Sequence, residues 1–231
     1  MAATRLGDRP RLLDLFCGAG GVSMGYWRAG FDVTGVDIEP HPDYPFRLIE
    51  ADAMDLLAHP LFLDSWDAIH ASPPCPRFSD MTNHATRHLH PDLLTPTLAA
   101  LRAWDGPWIV ENVPPAGRIM GDAVLVCGRA MGLPGIKRHR LFASNQPLMS
   151  PGCGCGVGQA PWGIYGDHGD GGRAWVRPGG GTGRGRKAHD TAHAQALLGI
   201  NWMTRWADLA DAIPPAFTEY LGGQLIDTLA A

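Results

Sequence analysis

The stretch from Arg11 to Ala29 constrains the chain most. Arg11-Leu12-Leu13-Asp14-Leu15-Phe16 is an apolar run of strand length. Cys17-Gly18-Ala19-Gly20-Gly21 follows without a spacer, and Val22 to Ala29 continues with helical spacing. Strand, glycine turn and helix in immediate succession form a ligand-binding unit, because residues without Cβ let the backbone turn sharply and let a ligand approach the helix N-terminus. The spacing is not the G-x-G-x-x-G dinucleotide pattern, and no Gly-Lys-Ser/Thr follows, so a P-loop is disfavoured. Phe31 to Val36 reads as a second strand ending at Asp37. That is about twenty residues past the turn, where doubly wound folds place a carboxylate on ribose hydroxyls. Glu39 competes for that role. Arg47 to Glu50 reads as a third strand, leaving Asp52 at a carboxyl end where it can accept from an adenine amino group.

Ser65 to Ala71 reads as a fourth strand, and it delivers Cys75 into the loop Ser72-Pro73-Pro74-Cys75-Pro76. Proline fixes φ and has no N–H, so three prolines around one cysteine hold the thiol in a defined turn. Pro91 to Trp104 reads as a helix. Trp108-Ile109-Val110 reads as a strand running into Glu111-Asn112-Val113-Pro114-Pro115, again with a carboxylate at a strand end. Val124 to Cys127 is a sixth strand. Lys137 to Phe142 begins a seventh, with Arg138 and Arg140 on one face by period two. Thr191 to Gly199, Thr204 to Asp211 and Ala216 to Leu229 read as helices that close the chain.

With 231 residues and 45% hydrophobic content, the chain can bury a full core and fits one α/β domain with a small appendage. Five cysteines, at 17, 75, 127, 153 and 155, are an odd number. With no hydrophobic leader and no membrane-spanning run, they suggest free thiols in a soluble, cytoplasmic monomer with no membrane partner. A net charge of −4 excludes a uniformly basic nucleic-acid binder. Between Gly171 and Asp190, however, five Lys or Arg residues stand against one Asp. Arg173, Arg177, Arg184, Arg186 and Lys187 lie there among glycines, with Trp162, Tyr165 and Trp175 nearby. A stretch of that kind can follow a phosphate backbone. No metal ligands are assigned. His84, His88 and His90 match no common spacing, and Cys153-Gly154-Cys155 with His168 is a tight C-x-C with one further ligand.

Taken in order, Asp14-Leu15-Phe16-Cys17-Gly18-Ala19-Gly20-Gly21, Pro73-Pro74-Cys75, Glu111-Asn112-Val113 and Arg138-His139-Arg140 resemble the cytosine-C5 methyltransferase family. Ala210-Asp211-Ala212-Ile213-Pro214 is similar to its closing motif, usually Gly-Asn-Ala-Val-Pro. The family usually has Pro-Cys-Gln where Pro76 stands here, and a Gln where Ile136 stands. The resemblance implies an α/β, Rossmann-like methyltransferase sheet that binds S-adenosylmethionine, with a small irregular target-recognition insert. Residues 1–144 would form the catalytic domain, 145–190 the insert, and 191–231 the helices completing the domain.

The resemblance also implies roles. Cys75 would add to cytosine C6, Glu111 would hydrogen-bond N3 and the amino group, and Arg140 with Arg138 would hold the base O2 and support the loop. Phe16, Gly18, Gly20, Asp37, Asp52 and Pro74 would border the donor. DNA, contacted through the insert, is the expected partner. RNA, a free cytidine nucleotide, and a non-catalytic DNA-binding module remain alternatives. A restriction–modification enzyme and a phage enzyme both fit these residues.

Overall fold

The structure, a computed structural model, describes residues 9–80, 82–83, 85–133, 135–156, 161–169 and 186–230. The glycine turn joins β1 (Arg11–Leu15) to α1 (Gly21–Ala29), and β2 (Asp32–Asp37) and β3 (Arg47–Glu50) follow. Next come α2 (Ala53–Leu57), α3 (Pro60–Leu63), β4 (Ala68–Ala71), α4 (Leu94–Ala103), β5 (Trp108–Asn112), α5 (Gly117–Met120), β6 (Ala123–Val126) and β7 (Arg140–Ser144). A short pair, β8 (Trp162–Gly163) and β9 (Arg186–Lys187), precedes α6 (Thr191–Leu198), α7 (Trp206–Asp211) and α8 (Pro215–Leu229).

Seven strands form one sheet in the order β3-β2-β1-β4-β5-β7-β6. The first five are parallel, and β7 runs antiparallel to both β5 and β6. Winding proceeds outward from β1 to β3 and then resumes on the other side at β4. The loops leaving β1 and β4 therefore part in opposite directions and open a crevice between the carboxyl ends of these two strands. The register fixes its floor, since Leu15 is opposite both Val36 and Ala71.

Covering both faces of a parallel sheet explains why its central strands are apolar on both sides. Leu13, Leu15, Ile69 and Val110 pack beneath α2 to α5 with Leu94, Leu98 and Leu101. On the opposite face Leu12, Ile109 and Phe142 meet Tyr26 of α1 and Phe217, Leu221 and Leu225 of α8. A third cluster joins Ile136 and Ile164 to Ala194, Leu197, Leu198 and Leu209 of α6 and α7. Ile136, which stands where the resembling family has Gln, is thus a core side chain.

The expected elements are present with ends shifted by a few residues, and β7 departs in a way that matters. It begins at Arg140, so Arg138 and Arg140 do not share a strand face. Arg138 lies before it at φ 27, in a left-handed backbone conformation that no hydrophobic pattern encodes. Within the expected insert, the described parts pack on their surroundings. Ile164 and Ala188 are buried against α6, and Ser150 Oγ donates to Leu125 O at 2.6 Å. Arg173, Trp175, Arg177, Arg184 and His84 lie outside the described residues. Among the described residues no helix is long and apolar enough to cross a membrane.

The α1–α8 contact is extensive and close. A Cβ on Gly25 would collide with Thr218 Oγ1 and Pro215 O, and Thr218 is held by its hydrogen bond to Val22 O at 2.8 Å. Because the obstruction includes backbone, Gly25→Val is expected to lower unfolding stability by about 1–3 kcal/mol or more in urea titrations. An unchanged midpoint would mean that the two helices do not meet this closely.

Candidate functional site

At the crevice lies a cavity of about 490 Å³, within the usual range for a small-molecule site. The glycine turn forms one wall. Phe16 has φ 59 and Gly18 φ 49, and a Cβ added to Gly18 would meet nothing, so the turn presents bare backbone to the space. Phe16, a bulky residue in the left-handed region, is conformationally strained, and such strain concentrates at functional sites. Asp37 braces the turn from β2: its Oδ2 accepts from Gly18 N at 2.9 Å and its Oδ1 from Glu39 N at 3.1 Å. Asp52 lines the cavity while capping α2, accepting from Met54 N at 2.8 Å. Ile38 borders the same space and is 70% exposed, which leaves an apolar surface free for a flat ring.

The opposite wall is the loop after β4. Phe78 N and Ser79 N both donate to Cys75 O at 2.9 Å, so a turn starts at the cysteine. Asn112 fastens this loop to the end of β5, its Nδ2 donating to Pro73 O at 3.0 Å and its Oδ1 accepting from Val113 N at 2.9 Å. Pro74, Cys75 and Glu111 all line the cavity. Burial pushes the Cys75 thiol up, as does the Glu111 carboxylate, while Arg140 opposes them.

Glu111 is buried at the end of β5, and burial raises its pKa against the pull of Arg140 and a hydrogen bond from Ser72. Arg140 Nε lies 3.0 Å from Glu111 Oε1, close enough to pair by charge but not aligned as a hydrogen bond. A chain of contacts supports this carboxyl from behind. Tyr26 Oη is 2.9 Å from His70 Nδ1, and His70 Nε2 is 2.9 Å from Ser72 Oγ. Burial drops the His70 pKa to about 3, so the ring is neutral and Ser72 is held in a fixed orientation. Sequence reasoning missed His70 and Ser72. A histidine inside an otherwise apolar strand was the available signal.

The two arginines divide their work. Arg140 lines the cavity, whereas Arg138 donates to the carbonyls of Ile164 (3.1 Å), Leu209 (3.3 Å), Ala210 (2.7 Å) and Ala212. Arg138 thus clamps the 210–212 segment and the base of the insert and spends its donors there. Asp211 and Ile213 close the cavity from that side. The approach is tight, since a Cβ on Gly21 would collide with Ile213 O. Cys17 also lines the space but is buried, and burial together with Asp14 and Asp37 pushes its thiol far above the ordinary range. Cys75 is the more accessible sulfur.

Farther out, Trp162 packs edge-on to His189 and His193, with ring centroids 4.9 and 4.6 Å away, and the Arg186 guanidinium lies over the Trp162 ring, 5.6 Å from its centroid. Lys187 Nζ is 5.2 Å from the Tyr165 ring and 5.4 Å from Trp206. These aromatics therefore have partners within the chain. His168 is exposed and lies apart from Cys153 and Cys155, which are joined instead by Cys127 and His139.

No family model matches the sequence, and no curated protein matches it. Solved structures do match in fold. A candidate DNA modification methyltransferase encoded within an E. coli prophage aligns at 17% identity and TM-score 0.61, over 96% of this chain and 100% of that one. The Dnmt2 methyltransferase of S. pombe aligns at 13% identity and TM-score 0.57, over 96% and 100%. EhMeth, an Entamoeba histolytica methyltransferase, aligns at 12% identity and TM-score 0.57, over 96% and 99%. The chain has the Rossmann-like methyltransferase fold shared by these structures.

Proposed function

We propose that this chain is an S-adenosylmethionine-dependent DNA cytosine-C5 methyltransferase acting through Cys75. The observation that carries the reading is that Cys75, Glu111 and Arg140 border the same cavity as the glycine turn and Asp37. A nucleophile, an acid and a cation therefore face a nucleoside-sized space.

The lining of the cavity suits the donor. Gly18 offers open space where any side chain would intrude, Asp37 retains lone pairs beyond its two backbone bonds, and Ile38 offers an apolar face. Phe16, Gly18, Asp37, Asp52 and Pro74, which line the cavity, would hold S-adenosylmethionine, which supplies an electrophilic methyl when bound; Gly20 faces Tyr44 and Pro45 instead of the cavity. The chain's own residues prepare the acceptor. Cytosine C5 is a poor nucleophile, so Cys75 gives its thiol proton to a base, its Sγ bonds to C6, and the C5–C6 π electrons pass into an enamine that is nucleophilic at C5. Glu111, whose raised pKa favours the protonated carboxyl, donates a hydrogen bond at N3 as charge builds on the ring. Arg140 neutralises the other side and holds O2. Once C5 carries the methyl, loss of the C5 proton to a base re-forms the C5–C6 double bond, breaks the Cys75–C6 bond and frees the sulfur as thiolate. In duplex DNA the cytosine must first leave the stack, because Cys75 sits inside the crevice. Arg186 and Lys187, with the basic residues of 170–185, would track the phosphates.

Cys75→Ser should abolish methyl transfer and leave donor affinity unchanged, as measured by isothermal titration with S-adenosylmethionine. Near-normal turnover by the serine variant would remove covalent catalysis from the reading. Glu111→Gln keeps shape and reach but has no acidic proton. It is expected to slow single-turnover transfer by about 10²-fold or more with donor binding intact; an unchanged rate would take Glu111 out of the chemistry.

A further inference from the structure

We propose that Cys127, His139, Cys153 and Cys155 form a structural zinc site that fixes the loop bearing the two arginines. The four residues come from three separate places: the end of β6, the approach to β7 and the segment beyond it. Their ligand atoms, three sulfurs and one ring nitrogen, all lie within 4.8 Å of one another. Cys155 Sγ is 3.4 Å from Cys127 Sγ and 3.2 Å from His139 Nε2, and Cys153 Sγ is 3.5 Å from the same nitrogen. A zinc tetrahedron with Zn–S of about 2.3 Å and Zn–N of about 2.1 Å has ligand–ligand edges of about 3.6–3.8 Å. The set therefore needs only small side-chain adjustments to accept the ion. The two sulfurs at 3.4 Å are too far apart for a disulfide, and the five cysteines are free.

The surrounding backbone is built for thiolate. The backbone N–H groups of Arg129, Ala130 and Gly154 surround Cys127 sulfur. A Cβ on Gly154 would stand 3.4 Å from Arg129 Cβ, so the Cys153-Gly154-Cys155 turn lies directly against the Cys127 turn. Backbone donors to the sulfur of a coordinating cysteine partly neutralise the excess negative charge of a three-thiolate set. Three thiolates and one imidazole in a tetrahedral arrangement suit Zn²⁺. With four protein ligands the ion has no open position, so its role is structural. Binding displaces the thiol protons and couples metal affinity to folding.

The location gives the site its consequence. His139 stands between Arg138, clamped to the carbonyls of Leu209, Ala210 and Ala212, and Arg140, paired with Glu111. A metal bond at His139 holds both arginines in place, including Arg138 at φ 27. The assignment stands apart from the proposed reaction, because it is read from ligand geometry alone.

The test is the metal content of the full chain purified under reductant and analysed by elemental mass spectrometry. About one zinc per chain is expected, with protection of three thiols that a strong chelator exposes. In Cys153→Ser/Cys155→Ser the zinc content should fall at least about tenfold. Cys155→His, which restores a fourth ligand, should retain the metal, and circular dichroism establishes that each variant is folded. If the double variant fails to fold, retention of zinc by folded Cys155→His together with its loss from folded Cys153→Ala still supports the site. The proposal is overturned if the folded protein takes up no zinc when the reduced chain is refolded with Zn²⁺, or if the double variant keeps its full zinc content.

Discussion

A parallel sheet opens a crevice only where its winding reverses, and the cavity of this protein depends on that single reversal between β1 and β4. The loop leaving β1 must turn one way into α1 and the loop leaving β4 the other way toward Cys75. The space between them is the cavity. Its walls stay apart because each is braced from behind. Asp37 accepts from Gly18 N on one side, and Asn112 holds Pro73 O on the other. Its roof is brought down by Arg138, which gathers carbonyls from the 209–212 segment and from Ile164. Removing any of these braces would move a wall of the site without touching a reacting atom.

The buried polar groups follow the same logic. A carboxyl at the end of an interior strand is costly to ionise, and Glu111 is kept poised by an adjacent cation and by the Tyr26–His70–Ser72 chain. Asp14, fully buried and hydrogen-bonded by Ser23, has its pKa raised to about 7 chiefly by burial, so the carboxyl at the base of the glycine turn is only partly ionised near neutrality. Both groups are tied to the α1 side of the sheet, so the packing of α1 on α8 bears on the electrostatics of the cavity.

Much of this was legible in the sequence, for physical reasons. Hydrophobic runs of strand length ending in Gly, Asp or Pro mark where buried backbone must emerge. The strand ends at Leu15, Asp37, Glu50 and Ala71 follow from that rule. What the sequence concealed depended on backbone geometry or on long-range closure. Period-two spacing suggested that Arg138 and Arg140 share a face, yet the strand starts one residue after His139 and the two guanidiniums separate. The Cys153–Cys155 pair was visible, but His168 was the neighbour in sequence whereas Cys127 and His139 are the neighbours in space. Only the path of the chain through β6 and β7 brings those four together. Ile38 was overlooked because an apolar residue at a strand end ordinarily continues the core, and here it faces the opening.

The central claim is a covalent bond between Cys75 and a cytosine ring, and one measurement addresses it directly. DNA of genomic complexity substituted with 5-fluorocytosine is incubated with the protein and S-adenosylmethionine, and linked peptides are mapped by mass spectrometry. Fluorine at C5 cannot leave as a proton, so the elimination that releases the enzyme is blocked. The account predicts a DNA–protein adduct on the peptide containing Cys75, dependent on the donor. Methylation of unsubstituted DNA with no such adduct, or an adduct mapped to Cys17, would contradict it.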